Sequence, residues 1–173
     1  LIENLQKVRL RLADAAVHHH RTVDSITVLA VSKGQTVAAI AAAADLGLTH
    51  FGENYLQEAL PKIAALEARR LCWHFIGQLQ SNKTRAVAEH FDWVHTVDSA
   101  PLAGALAAEA ARGGRRLPVL VQVNPAGEPT KRGVPVEGVE TLLRAVLAHP
   151  SLRLEGLMTI PPPGGSRTHF RAV

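Results

Sequence analysis

The 173 residues include a single cysteine, Cys72. That excludes an internal disulfide framework and any multi-cysteine zinc site. Aromatic residues are scarce, at 4%, and follow no repeated stacking pattern. A surface built to stack nucleobases is therefore not expected. Long apolar runs are also lacking. The longest uncharged one, Val37 to Ala44, is mostly alanine and far shorter than the ~20 residues that cross a bilayer. No basic-then-apolar signal segment opens the chain. These absences lead to the expectation of a soluble, cytoplasmic protein with no membrane and no nucleic-acid partner. The chain opens on Leu1 rather than methionine, so its start is expected to be missing.

Charge of one sign is in modest excess, with 19 Lys and Arg against 15 Asp and Glu. The basic residues are spread along the chain. Their densest groups, Arg112, Arg115 and Arg116 and then Lys131 and Arg132, read as solvated helix faces and helix C-termini. The tract His18-His19-His20 suggests a metal site at first sight. Adjacent residues on a helix point in different directions, so a polar helix end is the better expectation.

What is present is an ordinary globular composition, 47% hydrophobic and 20% charged. One domain spanning residues 1–173 is expected. Short β-branched runs alternate with longer alanine- and leucine-rich helical patterns. Strands are expected at Ile26–Val31, Leu48–Phe51, Cys72–Ile76, Trp93–Thr96, Leu117–Val123 and Leu152–Met158. Helices are expected at Ile2–His19, Thr36–Leu46, Asn54–Ala68, Ser81–His90, from Ser99 to Gly113, at Val136–His149 and from Thr168 onward. Ser81 and Ser99 stand where N-caps belong. The triple proline Pro161 to Pro163 reads as a stiff loop.

Strand–helix alternation without hairpin signals means parallel strands and an α/β fold. A doubly wound sheet and a (β/α)8 TIM barrel both fit. The glycine-rich dinucleotide fingerprint is missing after the first strand, which continues Ser32-Lys33-Gly34-Gln35. Strand starts recur about every 25 residues, so eight units and the leading helix need roughly 225 residues. The chain would then stop after about six strands.

Chemistry in such folds sits at the C-terminal ends of the strands. Those positions hold Lys33, then Glu53, Asn54 and Tyr55, then His74, Asp98, Asn124 and Thr159. Lys33 directly follows an apolar strand. A desolvated stem there would favour a neutral amine able to attack an aldehyde.

Three motifs make the pattern specific: Ala30-Val31-Ser32-Lys33, Phe51-Gly52-Glu53-Asn54-Tyr55-Leu56-Gln57-Glu58 and Trp73-His74-Phe75-Ile76-Gly77-Gln78-Leu79-Gln80-Ser81-Asn82-Lys83. With Gln122-Val123-Asn124 and Gly156-Leu157-Met158-Thr159-Ile160-Pro161, they closely resemble the pyridoxal phosphate homeostasis protein family. The resemblance implies a single (β/α)8 barrel of the alanine racemase N-terminal type. It implies that pyridoxal 5′-phosphate (PLP) is bound as a Schiff base on Lys33, in a non-catalytic protein of intracellular vitamin B6 homeostasis. It places Asn54, His74 and Met158 beside the cofactor.

By the same resemblance, the phosphate cradle and an arginine facing the pyridine nitrogen belong to barrel units beyond these residues. The family usually has Thr where Gly34 stands, and glycine is expected to loosen the turn after Lys33. Ser81 with Lys83 is expected to be a structural cap rather than an anion site. Racemisation needs an acid/base on each face of the substrate, and no convincing opposed pair is seen. A fold-type III racemase or decarboxylase, a Schiff-base aldolase and a truncated product that binds nothing stay open as alternatives. A complete barrel is expected to be monomeric. A chain ended after six strands is expected to associate through its open edges.

Overall fold

The computed structural model describes all residues except 129–130 and 163–165. Pro163 of the triple proline thus lies outside the described residues. Six strands form one sheet: β1 (Leu29–Val31), β2 (His50–Glu53), β3 (Cys72–Phe75), β4 (Trp93–Val97), β5 (Leu117–Val123) and β6 (Leu152–Thr159). Between them run α2 (Val37–Asp45), α3 (Leu56–Ala65), α4 (Thr84–His90), α5 (Ala100–Arg112) and α6 (Val139–Leu147). Helix α1 (Ile2–His18) precedes the sheet and α7 (Ser166–Ala172) follows it.

All neighbouring strands pair in parallel, and their order is the order of the chain. A doubly wound sheet reverses its strand order at a switch point, whereas a barrel does not. The observed order is the barrel's. Among the described residues, β1 and β6 are the outer strands.

Alternation along the strands separates two faces. Phe51, Trp73, Phe75, Val94, Val119 and Val121 are buried with Ile40, Leu106 and Val146 of the helices. The opposite, inner face carries His50, Gly52, Cys72, His74, Gln122 and Met158, by the register Gly52↔His74 and Gln122↔Met158. In β6 the pairing skips Glu155 after Leu154, and Gly156 takes the positive φ (+148°) of that bulge.

Several boundaries differ from expectation. Val23–Ser25 form a 3₁₀ turn, closed by the Ile26 N–H on the Val23 carbonyl, and this delays β1 to Leu29. β2 lies two residues later than expected, at His50–Glu53. α3 starts at Leu56 rather than Asn54, with Tyr55 in the N-cap position. Ser81–Lys83 form a 3₁₀ turn before α4, and Ser81 provides no side-chain cap. Ser99 is in place before α5 but its hydroxyl caps nothing. Thr36 does cap α2, accepting from the Ala39 N–H at 3.2 Å. His18, His19 and His20 form an exposed helix end, as expected.

Candidate functional site

The C-terminal edge of the sheet positions Lys33. β1 ends at Val31, and Ser32 to Gln35 make a tight turn closed by the Gln35 N–H on the Ser32 carbonyl at 3.0 Å. Gly34 adopts φ +72°, a conformation that L side chains rarely take. The turn is pinned on both sides of Lys33. The Lys62 ammonium donates to the Ser32 carbonyl at 2.9 Å, and the Gly34 N–H donates to Glu58 Oε1. Glu58 of α3 holds the N–H of Gly34, a contact that opposes the loosening expected there. The expected desolvation of Lys33 is not found: its side chain is exposed, at the end of an outer strand.

The clamp rests on a buried ionic cluster. Lys62 Nζ lies 2.8 Å from Glu53 Oε1 and 2.6 Å from Glu58 Oε1. The Ser32 hydroxyl donates to Glu53 Oε1 at 2.7 Å. Glu53 is fully buried, and Lys62 nearly so. Glu53 was expected beyond the strand, among the residues of the mouth. It is instead the last residue of β2 and points to the helix side, where Lys62 compensates its charge. Burial alone would lower the Lys62 ammonium, but its hydrogen bonds to Glu53 and Glu58 outweigh burial and raise it above its ordinary value. Its hydrogen bond from Lys62, with that from Gly34, holds Glu58 below the usual carboxylate range.

Asn54 follows β2 and lines a cleft of about 230 Å³ with Ile76, Thr96, Gln122 and Arg132. Being outside α3, it is not an N-cap. Its side-chain oxygen is buried without a hydrogen-bond partner, as is the Thr96 hydroxyl. Such buried polar atoms normally find partners. Gly77 lets the loop after β3 pass close, since a Cβ there would run into the Asn54 carbonyl. Asn124 braces the other rim: its amide donates to the carbonyls of Glu128 and Lys131 at 3.0 and 3.2 Å. Met158 stands beside Gln122 in the register, on the same inner face.

His74 sits deeper. Its ring is buried, and both of its nitrogens meet other imidazoles. Nδ1 lies 2.8 Å from His95 Nε2, and Nε2 lies 2.9 Å from His50 Nδ1. Side chains, rather than the backbone, thus satisfy it. Tyr55 is 63% exposed and takes no part in this grouping. The structure therefore brings Asn54 together with Gln122 in one cleft, and Met158 is Gln122's neighbour across the strand pair. Lys33 stands on the neighbouring strand's turn, and His74 lies in the floor below. Lys62 was missed because a lysine on a helix reads as solvated. The spacing of Glu58 and Lys62 at i, i+4 was the signal that could have found it.

The chain matches the model of the alanine racemase N-terminal domain over residues 4–171. A pyridoxal phosphate homeostasis protein of Pseudomonas aeruginosa is 47% identical over 173 residues, covering 100% of this chain and 75% of that one. The protein of the same name from Escherichia coli K12 is 45% identical, covering 94% and 71%. The structure of PipY from Synechococcus elongatus, solved with PLP bound, superposes with a TM-score of 0.77 at 36% identity, covering 93% and 76%. An alanine racemase of Clostridium difficile shares the fold alone, with a TM-score of 0.70 at 13% identity, covering 95% of this chain and 48% of the racemase. The chain thus spans about three quarters of these homeostasis relatives and carries their fold almost throughout, and it belongs to the pyridoxal phosphate homeostasis protein family.

Proposed function

We propose that this chain binds PLP through Lys33 and serves intracellular vitamin B6 homeostasis as a carrier rather than a catalyst, in the cytoplasm. The observation that carries the reading is the pinned turn. A single lysine is presented at the C-terminal edge of the sheet on backbone fixed from both sides, by Lys62 at Ser32 and by Glu58 at Gly34. PLP supplies an aldehyde carbon, to which a neutral amine bonds with loss of water.

The residues present fit part of that group. Lys33 offers the amine, and its exposure leaves it accessible from the inner face. Asn54 offers an amide whose buried oxygen lacks a protein partner. Met158 supplies apolar surface on the same face. We assign His74 to the floor beneath the ring, without a direct hydrogen bond, because His50 and His95 already occupy both its nitrogens. The carrier reading is supported by the lone tyrosine, which is exposed in the N-cap position of α3.

The test is to add PLP to the purified chain, follow the visible absorption of the adduct, reduce it with borohydride and map the labelled peptide. The label is expected on Lys33 and is expected to vanish in Lys33→Ala. A label elsewhere, or an unchanged label in that variant, overturns the site. Amino-acid racemisation by the loaded chain that disappears in Lys33→Ala would overturn the carrier reading.

A further inference from the structure

The inner face holds a second cluster, at the opposite end of the strands from Lys33. His50 is the first residue of β2 and Cys72 the first of β3, and the parallel register sets them side by side. At ~3.3 Å per strand residue, the pair lies about 13 Å below the level of Lys33. His74 Nε2 lies 2.9 Å from His50 Nδ1 and 3.3 Å from Cys72 Sγ. The ligand atoms of all three residues lie within 4.8 Å of one another.

We propose that His50, Cys72 and His74 form a binding site for one transition-metal ion of borderline softness, with Zn²⁺ the preferred occupant. It adjoins the floor of the Lys33 site through His74 and does not depend on PLP. Two imidazoles and a thiolate suit Zn²⁺, whereas Mg²⁺ and Ca²⁺ take oxygen ligands. A tetrahedral Zn²⁺ with bonds of ~2.0–2.3 Å sets its ligand atoms roughly 3.4–3.6 Å apart. The two spacings at His74, 2.9 and 3.3 Å, need to widen by only a few tenths of an ångström, and the third stays within 4.8 Å.

Its surroundings resemble those of an orienting shell. His74 Nδ1 and His95 Nε2 share a hydrogen bond at 2.8 Å, and the tautomer that protonates Nδ1 leaves Nε2 as the lone pair turned toward His50 and Cys72. The Trp93 ring stacks on His74 with 18° between planes and 5.6 Å between centroids, fixing the imidazole's orientation. In that tautomer of the metal-free chain, a proton on His50 Nδ1 bridges to His74 Nε2. On metal binding, His50 shifts that proton to its Nε2, and the Cys72 thiol releases its proton to solvent. Half-exposure of His50 and Cys72 leaves the fourth position for water, as at sites with three protein ligands.

Co²⁺ titration of the chelator-treated chain tests the site. One equivalent is expected to give tetrahedral visible bands and a near-ultraviolet sulfur-to-metal band, both displaced by Zn²⁺. Cys72→Ser is expected to lose the sulfur band, and His50→Gln to weaken binding at least tenfold. His95→Gln is expected to weaken it ten- to a hundredfold through the lost orienting bond. A variant with His18, His19 and His20 all changed to alanine is expected to bind as the parent does. Circular dichroism and melting of each variant confirm the fold, and half-exposed His50 provides a decisive variant if Cys72→Ser unfolds. No sulfur band at one equivalent overturns the site. So does undiminished affinity in His50→Gln, or loss of binding in the triple-alanine variant.

Discussion

The two ends of the sheet solve the problem of buried polar groups in opposite ways. At the C-terminal end, full charges are paired: Lys62 bridges Glu53 and Glu58 and holds the Lys33 turn. At the floor, imidazole rings are joined by hydrogen bonds along the line His50–His74–His95, with no ion pair among them. The first arrangement fails when one partner is removed, since the charge left behind is stranded. The second fails when a ring gains a charge that its neighbours cannot compensate. Mutation should therefore expose the difference at the top, and pH should expose it at the floor.

The largest effect is expected from Lys62→Ala. It leaves the Glu53 carboxylate buried and uncompensated, at a cost of about 3–5 kcal/mol. It also frees the Ser32 carbonyl, so trapping of PLP at Lys33 should slow even under conditions where the chain stays folded. Chemical denaturation with circular dichroism checks the first consequence, and borohydride labelling checks the second. Glu53→Gln with Lys62→Met, which removes both charges, should recover much of the lost stability without restoring the labelling rate. Equal labelling rates in parent and variants would mean that the clamp does not position the lysine.

The floor should respond to acid first. Burial, with His95 and His50 alongside, pushes His74 down to about 3, and burial pushes His95 down to about 4, both from 6.5. The groups around the two rings are His50, Cys72 and Trp93, with Asp92 acting on Cys72. A depressed folded value means that the unfolded chain binds the proton more tightly. The contribution is full above pH 6.5 and is lost as pH falls toward 4 and then 3. Each fully buried ring is worth about 1.4 kcal/mol per pH unit in that window, and half-exposed His95 less. For a chain of this size, that lowers the melting temperature by about 3–5 °C per unit. The top adds its own loss only later, as pH falls from 4.5 through the lowered value of Glu58. Melting curves of the metal-free chain between pH 7 and 4 should show the earlier decline, and His74→Gln should flatten it. A flat profile down to pH 4.5 would show that the rings are not held neutral.

How far each end could be read from the sequence follows from the same contrast. β5 was legible residue for residue, because a run of β-branched and apolar side chains lies between Gly113-Gly114 and Asn124-Pro125. The alternation of strands and helices made the strands parallel but left two strand orders open, and the family resemblance implied the barrel's. β2 was misplaced because His50-Phe51-Gly52-Glu53 has little strand propensity, and Glu53 looks like a loop residue until Lys62 is known to cover it. Lys33 and Asn54 were legible through motifs that are continuous in sequence. The floor was not, because His50, Cys72 and His95 come from three strands and meet only through register. His74 alone was visible, since it lies within a motif.

The smallest effect is expected at Gly34, and it tests whether backbone conformation or the ionic clamp dominates the top. At φ +72° there is open space where a Cβ would stand, so Gly34→Ala meets no clash. Only the left-handed conformation is penalised, by about 1–2 kcal/mol. Glu58 still holds the N–H of residue 34 in that variant, so the turn should keep its shape while the melting temperature drops by a few degrees. Labelling at Lys33 should then proceed at close to the parent's rate, in contrast to Lys62→Ala. If Gly34→Ala slowed labelling as much as Lys62→Ala, the turn would have relaxed out of its left-handed conformation. The glycine, rather than the two charged residues of α3, would then be what presents the lysine.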